Sequence, residues 1–193
     1  MTMNPRRRQF TAAEFWRMYD LGFFNDQRVE LIGGEIVANM TQSNWHAIGI
    51  SLMQSALQAA FGPAHWVRVQ NSLDLTPLFV PDPDLAVILG TPLLFRGQRT
   101  NPTSALLVVE VSETTLATDR GRKASLYAAA GIADYWILNI ADSTLEVRRD
   151  PRPDITQDFG FGYATLTTLT AADFATPLAA PAARIAVADL LPT

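Results

Sequence analysis

The sequence predicts one α/β domain, α+β-like in its strand order, with a central mixed β-sheet flanked by helices. The element pattern runs helix, hairpin, long helix, several strands, helix, hairpin, which is the order of a mixed sheet covered by helices. The run ALLVVEVS (105–112) is β-branched and apolar on both faces, as a central strand must be. A chain of 193 residues suits a single core, because a chain this long buries roughly 70% of the surface its unfolded form exposes.

Taken in order, Thr11 and Glu14 stand at capping-box spacing, with Phe10 and Phe15 at staple positions, so a short helix is expected up to Gly22. RVELIGGEIVANM (28–40) is two alternating runs joined by Gly33-Gly34, a hairpin turn in which both positions accept φ > 0. Asn44 is a plausible N-cap for a helix to Phe61, whose apolar positions Trp45, Ile48, Leu52, Ala56, Leu57 and Ala60 recur at helical spacing. Gly62-Pro63 ends it. WVRVQ (66–70) and SLDL (72–75) read as short strands, and the extended TPLFVPDP leads into DLAVIL (84–89). A polar loop spans about 96–103. After the central strand, Thr118 or Asp119 is expected to cap a helix that ends before Gly131, followed by a hairpin of DYWILNI and TLEVRRD. GYATLTTL and an Ala- and Pro-rich tail ending in ARIAVADLL complete the chain.

Composition excludes several classes. With 48% hydrophobic residues and a net charge of -4, the chain is neither disordered nor fibrous. Zero cysteines exclude disulfides, thiolate zinc sites and a cysteine nucleophile, and two histidines exclude a histidine-rich metal site. No run approaches the ~18 apolar residues of a membrane span, and Arg6-Arg7-Arg8 is not followed by an apolar signal core, so a cytoplasmic location without membrane partners is expected. The acidic balance argues against broad, charge-driven binding to nucleic acid.

Chemistry concentrates around the central strand. Alternation places Leu106, Val108, Glu110 and Ser112 on one face, so Glu110 is a carboxylate at the end of a buried strand and needs a partner. The neighbouring strand begins Pro81-Asp82-Pro83-Asp84 and turns Asp84, Ala86 and Ile88 to one face; Asp82, between prolines, reads as a turn and is the alternative aspartate. Lys123 is the only lysine among fifteen basic residues. It shares the stripe Lys123, Leu126, Tyr127, Ala130, which should face the sheet, and lysine has a tunable, compact charge that arginine lacks. Glu30, in the first hairpin, is a fourth candidate.

These residues carry a resemblance. P-D, then E-V-S, then DRGRKASLYAAAGIADYWIL is similar to the PD-(D/E)XK nuclease superfamily and, more closely, to the Uma-type bacterial restriction endonuclease family; the RVELIGGEIV hairpin and Asn44-Trp45-His46 agree. The resemblance covers about residues 10–150. It implies a restriction-endonuclease-like fold over 1–193, with a flexible start (1–9), a nuclease core (10–150) and a C-terminal strand and tail (151–193). It also implies a DNA endonuclease whose catalytic set is Glu30, Asp84, Glu110 and Lys123. Asp84 and Glu110 would hold Mg²⁺ or Mn²⁺, aided by a backbone carbonyl near Val111, and Lys123 would orient or deprotonate water or neutralise developing charge. Ser112 stands where an E-x-K pattern would place lysine; in this branch the lysine moves to the following helix, onto Lys123. His46, Ser112 and Tyr127 are auxiliary candidates. DNA is the implied partner, and a homodimer would match the two-fold symmetry of a duplex.

Other readings compete. A buried structural ion pair would use the same Asp84, Glu110 and Lys123. His46 and Ser112 equally suit capping, His65 reads as a loop residue, Arg6 to Arg8 as a solvated terminus, and the four tryptophans as core. The alternative functions are a catalytically silent nuclease-fold module that binds DNA or protein, and an interaction module with structural carboxylates.

Overall fold

A computed structural model describes residues 8–38, 42–97 and 105–192. Helix α1 (Ala12–Asp20) starts at the expected capping box, with Thr11 and Glu14 exchanging both bonds. Strands β1 (Val29–Ile32) and β2 (Glu35–Ala38) form the expected hairpin, and Gly33 and Gly34 sit at φ 63° and 78° in the two-residue turn. A short strand β4 (Phe79–Val80) pairs with β1, and this small sheet packs with Phe15 of α1 as a separate apolar cluster.

The main sheet has six strands in the order β3-β5-β6-β7-β8-β9: β3 (His65–Val69), β5 (Leu85–Leu89), β6 (Ala105–Ser112), β7 (Asp134–Asn139), β8 (Thr144–Pro153) and β9 (Phe161–Leu169). Only β6 and β7 run parallel, joined through helix α3 (residues 116–129); the other pairs are antiparallel. This central pair is covered on both faces, which is why its sequence is apolar nearly throughout.

Helix α2 (Asn44–Phe61) lies on one face, where Ile50, Met53 and Leu57 pack against Leu85, Val109 and Leu138. It approaches very closely at Gly49, where a Cβ would stand 3.0 Å from Val111 Cγ1. Helix α3 covers the opposite face with Leu126 and Tyr127 against Val108, Tyr135 and Ile137. No described helix is long and apolar enough to cross a membrane.

Several expectations change. The α2 cap is Ser43, whose hydroxyl accepts from the His46 N–H; Asn44 is already helical. SLDL is not a strand: Leu73 and Leu75 donate to Pro81 and Phe79 as irregular backbone pairs. Helix α3 begins at Leu116, ahead of the expected Thr118 or Asp119, and contains a π-helical stretch over Asp119–Lys123. A bulge opposite Val87 and Ile88 turns Leu106 towards the α2 face, although Val108, Glu110 and Ser112 follow the alternation. Of the tryptophans only Trp136 is fully buried, and Trp45 is 52% exposed.

The division expected near residue 150 falls inside β8. Beyond it, strands β10 (Phe174–Ala175) and β11 (Ile185–Ala186) and the turn Val187–Leu190 bury Ile185, Val187 and Leu190 in the α2-side core. Arg6, Arg7, Asn39, Met40 and most of the 96–103 loop lie outside the described residues; Arg8 pairs with Glu14 at 2.6 Å.

Candidate active site

Because β5 is antiparallel to β6, the start of β5 meets the end of β6, and Asp84 and Glu110 become neighbours. Glu110 faces α3, and Asp84 lies between the end of β6 and the first turn of α2. The Val111 N–H donates to Asp84 Oδ2 at 2.9 Å, while the Asp84 N–H points at Glu110 Oε2 at 3.4 Å. Backbone thereby fixes the two carboxylates relative to each other. His46, brought by the first turn of α2, places Nε2 3.1 Å from Asp84 Oδ1, and the Gln70 amide donates to the same oxygen at 3.3 Å. Asp82, the alternative aspartate, is bound by Arg28 at 2.6 Å.

Helix α3 supplies the cation. Lys123 Nζ donates to Glu110 Oε1 at 3.0 Å and lies 3.9 Å from Glu30 Oε1, carried in by β1; one turn later the Tyr127 hydroxyl donates to Glu110 Oε1 at 2.7 Å. The structure thus brings together Glu30, His46, Asp84, Glu110, Lys123 and Tyr127. Ser112 is fully buried beneath them, and its hydroxyl makes no hydrogen bond of normal geometry, although it lies close enough to Asp119 to affect that carboxyl.

Asp119 is the residue that sequence reasoning missed. It reads as a helix cap, yet it is 2% exposed, accepts from Thr115 Oγ1 at 2.6 Å and lines the same cleft as Lys123. Its signal was available: Asp119, Lys123 and Tyr127 are spaced four residues apart on one helix, so they share a face. The π-helical stretch begins at Asp119 and ends at Lys123, and such insertions recur at functional sites.

Electrostatics follow from crowding. Glu30, Asp84, Glu110 and Asp119 are all buried, and Lys123 is the one ammonium among them. Burial pushes the Glu110 carboxyl well above the usual range, Lys123 opposes this, and the charges of Asp84, Asp119 and Glu30 push it further up. Burial also raises Asp119, against Lys123 and its hydroxyl neighbours. Burial would raise Asp84 as well, but the His46 contact, the Val111 N–H and Lys123 outweigh it, and its carboxyl is held below the ordinary value. For Lys123 burial acts downward, and the surrounding carboxylates reverse it, so its pKa is raised.

The cleft over this cluster has a volume of about 390 Å³ and is walled by the hairpin, the α2 start and the segment entering α3. Among the described residues no three His, Cys, Asp or Glu side chains form a ready-made metal cage. Asp84 and Glu110 nonetheless fit a hard divalent cation, since Glu110 Oε2 receives one long bond and Asp84 Oδ2 receives one N–H, leaving each a lone pair. A pair of carboxylates with the remaining positions left to water or phosphate suits Mg²⁺.

The chain is thus an α/β protein with a mixed sheet, two carboxylates at adjacent strand ends and a lysine brought to them by the following helix. The chain belongs to the Uma2 family, described as a putative restriction endonuclease, whose model matches residues 12–187. Among solved structures it is similar to a putative nuclease belonging to DUF820 from Anabaena variabilis ATCC 29413, with a TM-score of 0.66, 14% identity, and coverage of 94% of this chain and 97% of that one. No curated protein matches.

Proposed function

We propose that the chain is a metal-dependent endonuclease that hydrolyses DNA phosphodiester bonds, with Mg²⁺ or Mn²⁺ held by Asp84 and Glu110. The observation that carries this reading is the surplus of charge: four buried carboxylates against one ammonium, an arrangement that a divalent cation would neutralise. The family and the likeness to a nuclease fold support it.

A bound cation would polarise the scissile phosphate and lower the pKa of attacking water. The chain's own groups have separable roles. The Val111 N–H and His46 aim Asp84, and Tyr127 holds Glu110. The carboxylates around Lys123 raise its pKa and favour the ammonium, which suits it to act as a positive charge and donor towards developing charge on the phosphate. Glu30 helps fix where that ammonium points.

The test is cleavage of supercoiled plasmid and of short single- and double-stranded oligonucleotides with Mg²⁺ or Mn²⁺, with Glu110→Ala and Lys123→Ala proteins purified identically. Cleavage by the parent alone, abolished by EDTA, is expected. Equal activity in all three proteins would mark a contaminant. One observation favours a second reading, a silent nuclease-fold binding module: Lys123 already bridges Glu110 and Glu30, acting as the site's cation. Failure of calorimetry to detect Mn²⁺ binding would select a structural ion pair.

A further inference from the structure

A second cleft of about 380 Å³ adjoins the first, formed by Tyr19, Phe24, Asn25, Asp26, Gln27 and Arg28. Arg28 lines both clefts, and its guanidinium is fixed between them by bonds to Asp82 at 2.6 Å and to Gln70 Oε1 at 3.1 Å. Because Gln70 also holds Asp84, the wall between the clefts is tied to the candidate metal ligand.

We infer that this second cleft is a subsite for one unpaired base of the nucleic-acid strand whose phosphate enters the first cleft. The inference rests on the nuclease reading above. Six carboxylates line the first cleft against three cationic side chains, Arg28, Arg122 and Lys123, so the side chains themselves attract phosphates weakly there and contacts with bases would add affinity. The second cleft supplies the chemistry that bases require. The Tyr19 ring is 52% exposed and is braced edge-on by Trp16 at 5.6 Å, so it offers a supported aromatic face, while Phe24, which lines the same cleft, is packed on Phe15 at 5.8 Å. The Asn25 and Gln27 amides complement base edges, and Asp26 accepts from amino groups while repelling a phosphate. A base held in a duplex cannot reach such a cleft, so the substrate is a single strand or a splayed end.

Fluorescence anisotropy with labelled 12-mers of dA, dC and dT and a mixed duplex, in Ca²⁺, tests the subsite. The parent should prefer single strands and discriminate among the three compositions. Tyr19→Ala should bind about tenfold more weakly, and Tyr19→Phe, which keeps the ring and its packing, should bind like the parent. Asn25→Ala combined with Gln27→Ala should level the differences between compositions. Parent-like binding by Tyr19→Ala and by the double variant, or a preference for duplex, would overturn the subsite. A parent that binds single strands through Tyr19 yet cuts nothing in Mn²⁺ would leave the subsite standing and remove the nuclease reading; a parent that binds no oligonucleotide removes both.

Discussion

Lys123 Nζ lies 3.0 Å from Glu110 Oε1 across the interface between α3 and β6. The same ammonium reaches Glu30, so one lysine joins the six-stranded sheet to the separate hairpin sheet. Replacing it therefore separates charge from shape. Lys123→Met should lower cleavage at least about 100-fold, and Lys123→Arg should not restore it, because a planar fork cannot take the place of a compact ammonium between two carboxylates. Single-turnover rates measure both; an arginine variant as fast as the parent would count against the assigned role.

Metal binding should release protons. In the metal-free protein burial raises the Glu110 pKa, with Lys123 opposing and Asp84, Asp119 and Glu30 reinforcing, so a cation competes with protons for this carboxylate more than it would at an ordinary glutamate. Mn²⁺ titrations at pH 7 in buffers of different ionisation enthalpy should give enthalpies that differ in proportion, and the dependence should vanish in Glu110→Gln.

That same upward shift makes Glu110 a liability at high pH. With the folded pKa above the unfolded one, the folded state holds the extra proton, and stability declines as pH rises through that interval. Glu110→Gln in EDTA should melt higher than the parent at pH 8, by about 2–4 °C per kcal/mol gained, and show no gain at pH 4. Thermal melts at the two pH values decide it.

Glu146 behaves in the opposite sense. Burial would raise its pKa, but Arg120 at 2.7 Å and Arg148 at 2.8 Å outweigh it and hold the carboxyl below its ordinary value. The stability it contributes is present above the unfolded pKa and is lost as pH falls through the folded one. Glu146→Gln should cost about 1–2 kcal/mol at pH 7, discounted for the exposure of Arg120, and the gap should shrink below about pH 4.5 in urea titrations.

Gly49→Ala tests the close approach of α2 to β6. Alanine favours helix by about 1 kcal/mol, but its Cβ would stand 3.0 Å from Val111 Cγ1, and overpacking costs about 1–3 kcal/mol. Net destabilisation is expected. Cleavage should also fall, because the Val111 N–H aims Asp84. Denaturation midpoints and cleavage rates of the one variant measure the two effects separately.

Sequence alone determined the features set by local chemistry and by period. The Thr11–Glu14 capping box, the Gly33-Gly34 turn, the alternation that sends Val108, Glu110 and Ser112 to one face, and the inward stripe bearing Lys123 and Tyr127 all follow from neighbours a few residues apart. Tertiary structure decided what depends on distant segments. Sheet pairing set Asp84 beside Glu110, and the bulge turned Leu106 away. Trp45 shows the limit most plainly: helical spacing places it on the packed face with Gly49 and Met53, and it is exposed all the same. A periodic pattern reports which side of an element a residue takes, whereas burial depends on whether another segment of chain covers that side.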